Sequence, residues 1–336
     1  MRRLHALLRT LRAGDTGARI AALRSSRAAL EVAVVGAALR TGLLDELVSP
    51  ASTSDLLVRR GWADPSLVEA ALQSFAAHGL VEERGGRWGT TRRGRRILDD
   101  DIVRATYEAF STYHTGLYRE LDRTLTIGAD RRDIDVDGEL IARLSRFMDQ
   151  FVFAELDRVV EERPPRRLLD VGCGTGAHLR HVLAAVPEAT AVGIEVDGAA
   201  AALARAALLE EQLDRRAEIV EGDVASYLEA GPGEPFDLVL LANVVYYVPF
   251  AERVAFLRSL AARLDSDGRL VVVTTALTGD SFSRHFDLLL RAQVGDLELP
   301  DVDVLCEQLI EAGLVPQRSA RIAPGEPLTV VVAGRR

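Results

Sequence analysis

The chain has 336 residues, which is enough for two domains with separate hydrophobic cores. Its formal net charge of -9 argues against a general electrostatic attraction to nucleic acid. The one apolar stretch that could serve as a targeting core, residues 28–39, is interrupted by Glu31 and is too short to span a bilayer. We therefore expect a cytoplasmic protein without membrane association.

The N-terminal segment predicts an amphipathic helix in which leucines at helical spacing alternate with arginines. The leucines are Leu4, Leu7, Leu8 and Leu11. A lone amphipathic helix at a terminus must bury its apolar stripe, and a second subunit is a reasonable partner. A membrane-surface helix is less favoured, because the apolar face is short and lacks aromatic residues. We expect a homodimer.

Residues 27–99 predict the order helix, helix, helix and hairpin, which is typical of a winged-helix module. The expected elements are helices over 28–41 and 54–60, a helix from Asp64-Pro65 to His78, and strands over 80–84 and 87–91 around Gly85-Gly86. The basic residues of the wing are Arg84, Arg87, Arg92, Arg93, Arg95 and Arg96. DNA binding is one interpretation of this charge, but we favour a solvated wing, because a catalytic motif set follows.

Connecting helices are expected over residues 101–163, where aromatic residues recur at helix-like intervals. The first group is Tyr107, Phe110, Tyr113, His114, Leu117 and Tyr118. Such a stripe is commonly part of a core, although a buried His114 and buried tyrosine hydroxyls would need polar partners. The next helix, expected over 144–160, carries Met148 and Phe151.

Residues 168–176, Leu-Leu-Asp-Val-Gly-Cys-Gly-Thr-Gly, predict a buried strand that enters a glycine turn and then a helix. An acidic residue, Glu195, closes the next apolar strand. This arrangement builds a nucleotide-sized crevice at the carboxyl ends of parallel strands. The glycines allow close approach of a ligand to the backbone, and Glu195 is placed to accept hydrogen bonds from ribose hydroxyls.

The acid ahead of alternating glycines resembles the first motif of the class I S-adenosylmethionine-dependent methyltransferases, rather than a Gly-x-Gly-x-x-Gly dinucleotide fingerprint. Residues 221–224, 235–243 and 264–270 resemble later motifs of that family in the same order. The resemblance implies S-adenosylmethionine as cofactor, with Glu195 on the ribose diol and Asp223 facing the adenine amino group. The implied cofactor-binding residues are Asp170, Gly172, Gly174, Gly176, Glu195, Asp223, Val224 and Asn243.

A winged helix ahead of such a domain resembles the dimeric small-molecule O-methyltransferases of plant type and their bacterial relatives. This implies an α/β fold, a doubly wound Rossmann-like sheet with an antiparallel last strand. The expected domains are a dimerisation domain (1–100), connecting helices that line the acceptor pocket (101–163) and a catalytic domain (164–336). The expected strands are 167–171, 190–195, 217–221, 237–242 and 269–275, followed by a hairpin of 314–323 and 328–332. The implied acceptor-binding residues are Tyr113, Met148, Phe151 and Tyr247.

Methyl transfer from a sulfonium requires positioning in a dry pocket rather than a metal. The six histidines form no metal-ligand motif; His178 and His181 share one helix face without an acidic companion in that helix. An alcohol or phenol acceptor would benefit from a general base. In the plant-type enzymes a histidine follows the fourth strand, and Tyr246 stands at that position here. A tyrosine with an ordinary pKa of about 10 is a poor base, although it can orient an acceptor.

Three possibilities follow for the chemistry: His114 or His285 supplies the base, the acceptor is already acidic, or proximity suffices. The leading hypothesis is O-, C- or N-methylation of a small secondary-metabolite acceptor. Methylation of protein or RNA is less favoured, given the acidic net charge. Two more hypotheses stay open: a winged-helix regulator with a ligand-sensing domain, and a non-methylating tailoring enzyme on the same fold.

Overall fold

The computed structural model describes residue 9 and residues 14–229 and 233–335, without the side chains of 134–137. The predicted N-terminal helix with Leu4, Leu7, Leu8 and Leu11 lies outside these residues. The chain divides into two compact units. The first comprises Met1–Glu120 and Asp137–Leu144, and the second comprises Leu121–Val136 and Ser145–Arg336.

The first unit contains the predicted succession of helices and a hairpin. Its elements are α1 (Thr16–Arg40), α2 (Leu43–Glu46), α3 (Thr53–Arg60), α4 (Pro65–Ala77), β1 (Val81–Arg84), β2 (Arg87–Thr90), α5 (Arg92–Asp99), α6 (Asp101–Ser111) and α7 (Tyr113–Arg119). A capping box between Ser52 and Asp55 starts α3, and Asp64 caps α4 ahead of Pro65. The strands β1 and β2 are antiparallel. The winged-helix order is therefore confirmed.

The second unit contains the large β-sheet. The residues of α9 are divided between the two units. The remaining elements are α8 (Leu121–Ile127), α9 (Asp133–Ser145), α10 (Asp149–Glu162), β3 (Arg167–Val171), α11 (Ala177–Ala185), β4 (Thr190–Glu195), α12 (Gly198–Glu210), β5 (Ala217–Glu221), α13 (Val224–Glu229), β6 (Phe236–Ala242), α14 (Arg253–Ala261), β7 (Leu264–Thr275), α15 (Ser281–Arg291), α16 (Val302–Glu311), β8 (Leu314–Arg321) and β9 (Leu328–Arg335). Short 3₁₀ turns lie at Arg146–Met148, Val245–Tyr247 and Phe250–Glu252.

The seven strands of this unit are ordered β5-β4-β3-β6-β7-β9-β8. The first five in this order are parallel, whereas β9 runs antiparallel to both β7 and β8. The chain order changes direction beside β3, because β4 pairs on one side and β6 on the other. A ligand crevice in such a sheet lies beyond the carboxyl ends of the strands at this switch point. The predicted sheet and its antiparallel last strand are confirmed.

Alternating residues of the strands belong to two buried apolar clusters. Leu168 and Val271 belong to one cluster, whereas their neighbours Leu169 and Val272 belong to the other. Successive strand side chains point to opposite faces, so the sheet is covered on both sides. Among the described residues, no helix is both long and apolar enough to cross a membrane.

Two helix boundaries differ from the prediction. The helix expected over 28–41 begins at Thr16, because Asp15 accepts a hydrogen bond from the backbone N–H of Ala18 and caps an earlier start. The single helix expected over 144–160 is interrupted by the 3₁₀ turn at Arg146–Met148. A new helix begins at Asp149, an acidic residue that suits the positive end of the helix dipole.

Candidate functional site

The turn after β3 has the backbone conformation that its glycines predict. Gly172, Gly174 and Gly176 have φ values of 67°, 55° and 76°, in the left-handed region that favours glycine. A Cβ at Gly172 would lie 2.6 Å from Val244 Cγ2, so the segment after β6 contacts this turn directly. At Gly174 no atom lies within 4 Å of the Cβ position, and the turn is open there. No side-chain cap binds the backbone N–H groups at the N-terminus of α11, the helix that this turn leads into.

Asp170 lies fully buried near the end of β3. Neither carboxylate oxygen has a hydrogen-bond partner among the described residues, although the backbone N–H of Leu179 is close enough to lower its pKa. Burial raises the pKa of Asp170 to about 6, His178 opposes this rise, and Glu195 adds to it. A buried carboxylate without a donor is costly. The site therefore suits a ligand that brings N–H donors or positive charge.

Glu195, at the end of β4, is also buried, but its oxygens already have partners. One oxygen accepts a hydrogen bond from the backbone N–H of Gly174 at 2.7 Å, and the other accepts one from the N–H of Asp197 at 2.9 Å. Glu195 thus fixes the glycine turn from the neighbouring strand. Each carboxylate oxygen retains a lone pair, so ligand hydroxyls can bind in addition.

Asp223 is exposed and caps α13. Its carboxylate accepts hydrogen bonds from the backbone N–H of Ser226 at 2.9 Å and from its hydroxyl at 2.6 Å, and these bonds lower the pKa of Asp223. Val224 packs against the apolar cluster around Leu169. Asn243 follows β6 with a φ of 59° and donates its backbone N–H to Val273 at 2.8 Å. All the predicted cofactor residues therefore lie at or just beyond the carboxyl ends of β3, β4, β5 and β6.

Two tyrosines lie in the segment after β6. The rings of Tyr246 and Tyr247 meet edge to face at 4.6 Å, and Tyr246 also meets Phe286 of α15 at 5.4 Å. Burial raises the pKa of Tyr247 to about 12, with a small opposing contribution from its hydrogen bond with Tyr246. Tyr247 is therefore neutral at ordinary pH, and it cannot act as a base there.

The remaining predicted residues are distributed over both units. His114 is buried on α7 in the first unit, with its ring 4.2 Å from those of Phe110 and Tyr113. Met148 and Phe151 belong to the second unit and pack against the sheet core. His285 lies half-buried on α15, and burial lowers its pKa. The structure thus brings Tyr246 and Tyr247 together with α15, while His114 and Tyr113 belong to a different unit.

The wing arginines are partly neutralised within the first unit. Arg84 pairs with Glu82 at 2.8 Å, Arg93 pairs with Glu31, and Arg87 donates to the carbonyl of Pro50 at 2.6 Å. These contacts support the interpretation of a solvated wing.

Sequence reasoning missed residues whose partners come from distant parts of the chain. Arg253 is buried and binds the segment after β6, donating to the carbonyls of Val248 at 3.1 Å and of Glu298. His178 lies 3.4 Å from Asp149 of α10. A charged residue among apolar helix positions was the only available signal for Arg253. No local pattern indicated the contact of His178, because its partner lies on a different helix.

The sequence is similar to those of several known proteins. Residues 168–268 match a family described as a methyltransferase domain. The indolepyruvate C-methyltransferase of Streptomyces griseus is 24% identical over 84% of this chain and 85% of that protein. Polyamine aminopropyltransferase 2 of Caldanaerobacter subterraneus is 27% identical over 48% of this chain, and the chain spans only 56% of that protein.

Solved structures match nearly the whole chain. The mitomycin 7-O-methyltransferase MmcR has a TM-score of 0.74 at 21% identity, covering 96% of this chain and 100% of that one. The O-methyltransferase NcsB1 from neocarzinostatin biosynthesis was solved with S-adenosyl-L-homocysteine and 1,4-dihydroxy-2-naphthoic acid. It has a TM-score of 0.67 at 21% identity, and the match covers 92% of this chain and 96% of that one. At this identity the matches establish the fold over both units.

Proposed function

We propose that this chain, whose residues 168–268 form a class I methyltransferase domain that uses S-adenosylmethionine, methylates a small-molecule acceptor at an O, C or N atom. The observation that carries the proposal is Asp170, a fully buried carboxylate without a hydrogen-bond partner among the described residues. It lies beside a glycine turn that is open at Gly174. A cationic cofactor with N–H donors would neutralise this carboxylate and occupy the opening.

The residues present fit the cofactor. Gly172, Gly174 and Gly176 provide a backbone cradle, Asp170 provides negative charge, and Glu195 can accept hydrogen bonds from ribose hydroxyls. Asp223, Val224 and Asn243 surround the place that we assign to the adenine. The bound cofactor supplies a methyl group on a positively charged sulfur. The protein residues hold donor and acceptor in line and exclude water, which is sufficient for this type of displacement.

The acceptor is proposed to be a small secondary metabolite. The support comes from the names of similar proteins, an indolepyruvate C-methyltransferase and a mitomycin O-methyltransferase. We assign acceptor binding to Tyr113, Met148, Phe151 and Tyr247. Among the candidate bases, His285 is favoured by its lowered pKa, which leaves the imidazole neutral and able to accept a proton. His114 is the second candidate base, and Tyr246 is assigned to orienting the acceptor. A homodimer and a cytoplasmic location belong to the same proposal.

The test is calorimetric titration with S-adenosylmethionine and S-adenosylhomocysteine, followed by incubation with labelled donor and a panel of phenolic, enolisable and amine metabolites. Mass spectrometry is expected to show a product that has gained one methyl group. Decarboxylated S-adenosylmethionine is included because of the similarity to an aminopropyltransferase. An aminopropyl product, or the absence of binding to either nucleoside, would overturn the proposal.

A further inference from the structure

Arg253, the first residue of α14, places a guanidinium in an almost fully buried position, with 1% of its surface exposed. Its Nε donates a hydrogen bond to the carbonyl of Val248 at 3.1 Å, and its Nη2 donates one to the carbonyl of Glu298. The guanidinium also lies 5.6 Å from the centre of the Phe250 ring. A buried charge is costly unless its N–H groups are bound, so Arg253 holds these two carbonyls firmly. The side chain therefore bridges two separate segments of the chain.

One end of this bridge fixes the turn that carries the two tyrosines. Val248 directly follows the 3₁₀ turn Val245–Tyr247. The turn is closed by backbone hydrogen bonds of 2.9 and 3.2 Å that span three residues. Such bonds have poorer geometry than those of an α-helix. The bond from Arg253 therefore adds an anchor from outside the turn, at the residue next to Tyr247.

The other end of the bridge fixes the segment that packs against Tyr246. Glu298 lies between Leu297 and Leu299, and both leucines belong to one buried apolar cluster with Tyr246. Tyr247 packs against the same cluster. The guanidinium therefore connects the backbone next to the tyrosines to the backbone of the leucines that pack around them.

The helix α15 also holds this leucine segment. Asp287 accepts a hydrogen bond from the backbone N–H of Leu299 at 3.1 Å. Arg291 pairs with Asp287 at 2.9 Å and with Glu298 at 2.7 Å. The same helix carries His285, the favoured base of the proposed function. The bridge thus relates the position of the tyrosine turn to that of His285.

We infer that Arg253 is a positioning residue for the acceptor: it fixes Tyr246 and Tyr247 relative to α15. This inference rests on the proposed function, which assigns acceptor orientation and binding to the two tyrosines. Arginine suits the task because its planar guanidinium donates to two acceptors in fixed directions, whereas the ammonium of lysine is a compact point charge. The placement of groups around the reacting atoms matters, because a misplacement of about 1 Å can cost about 100-fold in rate.

Arg269 provides a matched control at the other end of the sheet. It is 8% exposed, and its Nη2 donates to the carbonyls of Val159 at 3.1 Å and of Arg163 at 2.6 Å. It pairs with Leu238 in the first half of β6, whereas the tyrosine turn follows the carboxyl end of that strand. Arg253→Met and Arg269→Met therefore each remove a buried guanidinium from two carbonyls. Both should lower the midpoint of thermal unfolding, but only the first should disturb the tyrosines.

Fluorine NMR of protein labelled with 3-fluorotyrosine observes the tyrosines directly. The chain has six tyrosines, and Tyr246→Phe and Tyr247→Phe assign the two signals of interest. In Arg253→Met we expect both signals to shift or broaden, because the turn loses its external anchor. In Arg269→Met they should keep their wild-type positions. The remaining tyrosine signals serve as an internal reference in each variant.

Kinetic measurements then separate the acceptor from the cofactor. With the compound of the acceptor panel that the wild type methylates fastest, kcat/KM should fall about 10- to 100-fold in Arg253→Met. The Kd for S-adenosylhomocysteine should change by less than about threefold, because the hydrogen bonds of Arg253 reach none of the residues assigned to the cofactor. Arg253→Lys, which can still bind one carbonyl, should recover part of kcat/KM. Arg269→Met should leave both quantities near their wild-type values.

Unmoved tyrosine signals in Arg253→Met, or an equal change in Arg269→Met, would overturn the inference, as would a Kd that weakens as much as kcat/KM falls. If Arg253→Met does not fold, Arg253→Lys takes its place, with a smaller change of the same signals expected. If the wild type binds no S-adenosylhomocysteine or methylates no compound of the panel, the proposed function itself fails. That outcome is distinct, because the fluorine signals still report whether Arg253 holds the tyrosine turn.

Discussion

At the scale of single residues, Glu195 combines a structural role with a proposed ligand contact. Its carboxylate already accepts the backbone N–H groups of Gly174 and Asp197. Glu195→Ala removes these acceptors and the proposed ribose contact, so we expect S-adenosylhomocysteine affinity to fall about 10- to 100-fold, the equivalent of about one charged hydrogen bond. Glu195→Gln, which keeps one acceptor oxygen, should lose less. Calorimetry measures both, and unchanged affinity in the alanine variant would exclude the role.

At Asp170 we expect a conflict between the stability of the fold and the binding of the cofactor. Its folded-state pKa of about 6 lies above the ordinary value of 3.8, so the ionised form destabilises the fold above about pH 6, and this penalty disappears below about pH 4. Asp170→Asn should therefore raise the free energy of unfolding of the cofactor-free protein at pH 8 by about 1–3 kcal/mol, and by little near pH 4. Cofactor affinity should fall. Urea denaturation at both pH values measures the gain, and equal destabilisation at both would contradict the prediction.

At the scale of elements, α1 and α6 meet at a glycine. A Cβ at Gly36 would overlap the side chain of Ser111, whose hydroxyl is held by Arg40 and by the carbonyl of Glu108. Alanine favours a helix by up to about 1 kcal/mol over glycine, but overpacking costs about 1–3 kcal/mol. We expect Gly36→Ala to be destabilising in thermal unfolding.

Two variants isolate the cause of that loss. Gly138→Ala on α9 meets nothing within 4 Å and should be neutral or slightly stabilising. Adding Ser111→Gly to Gly36→Ala should recover part of the loss, because it removes both the Oγ and the Cβ that the new methyl group would overlap. Full additivity of the two substitutions would contradict this explanation.

The sequence predicted elements wherever the signal was local. The strand 167–171 and the glycine turn could be recognised because apolar runs, glycine spacing and a following acid are all written along one stretch. The break at Arg146–Met148 could not, because helical periodicity continues through it. The contacts of His178 with Asp149 and of Arg253 with Val248 were also missed, because they depend on which helices and loops the fold brings together. Asp223 is an intermediate case: the sequence predicted it as a cofactor-binding residue, but its role as a helix cap was not predicted.

At the scale of the whole molecule, α1 indicates where a second subunit would pack. Residues 17–30 are exposed along about 20 Å of helix. Ile20, Leu23 and Leu30 are 43%, 59% and 55% exposed and fall on one face at the helical angle of about 100° per residue. An apolar stripe of this kind on an exposed helix indicates an interaction surface. This exposed stripe on α1 adds described residues to the dimer contact that the N-terminal leucines predict.

Charge on this face should therefore oppose assembly. In the double variant Ile20→Glu, Leu23→Glu we expect the association constant of the dimer, measured by sedimentation velocity, to fall at least about tenfold. The reason is that two carboxylates would each lose hydration at the interface. Ser25→Glu adds a carboxylate on the opposite face of the same helix and should leave the dimer intact. A wild type that sediments as a monomer would overturn the proposed homodimer. A double variant that remains dimeric would remove α1 from the interface and transfer the proposed contact to another surface.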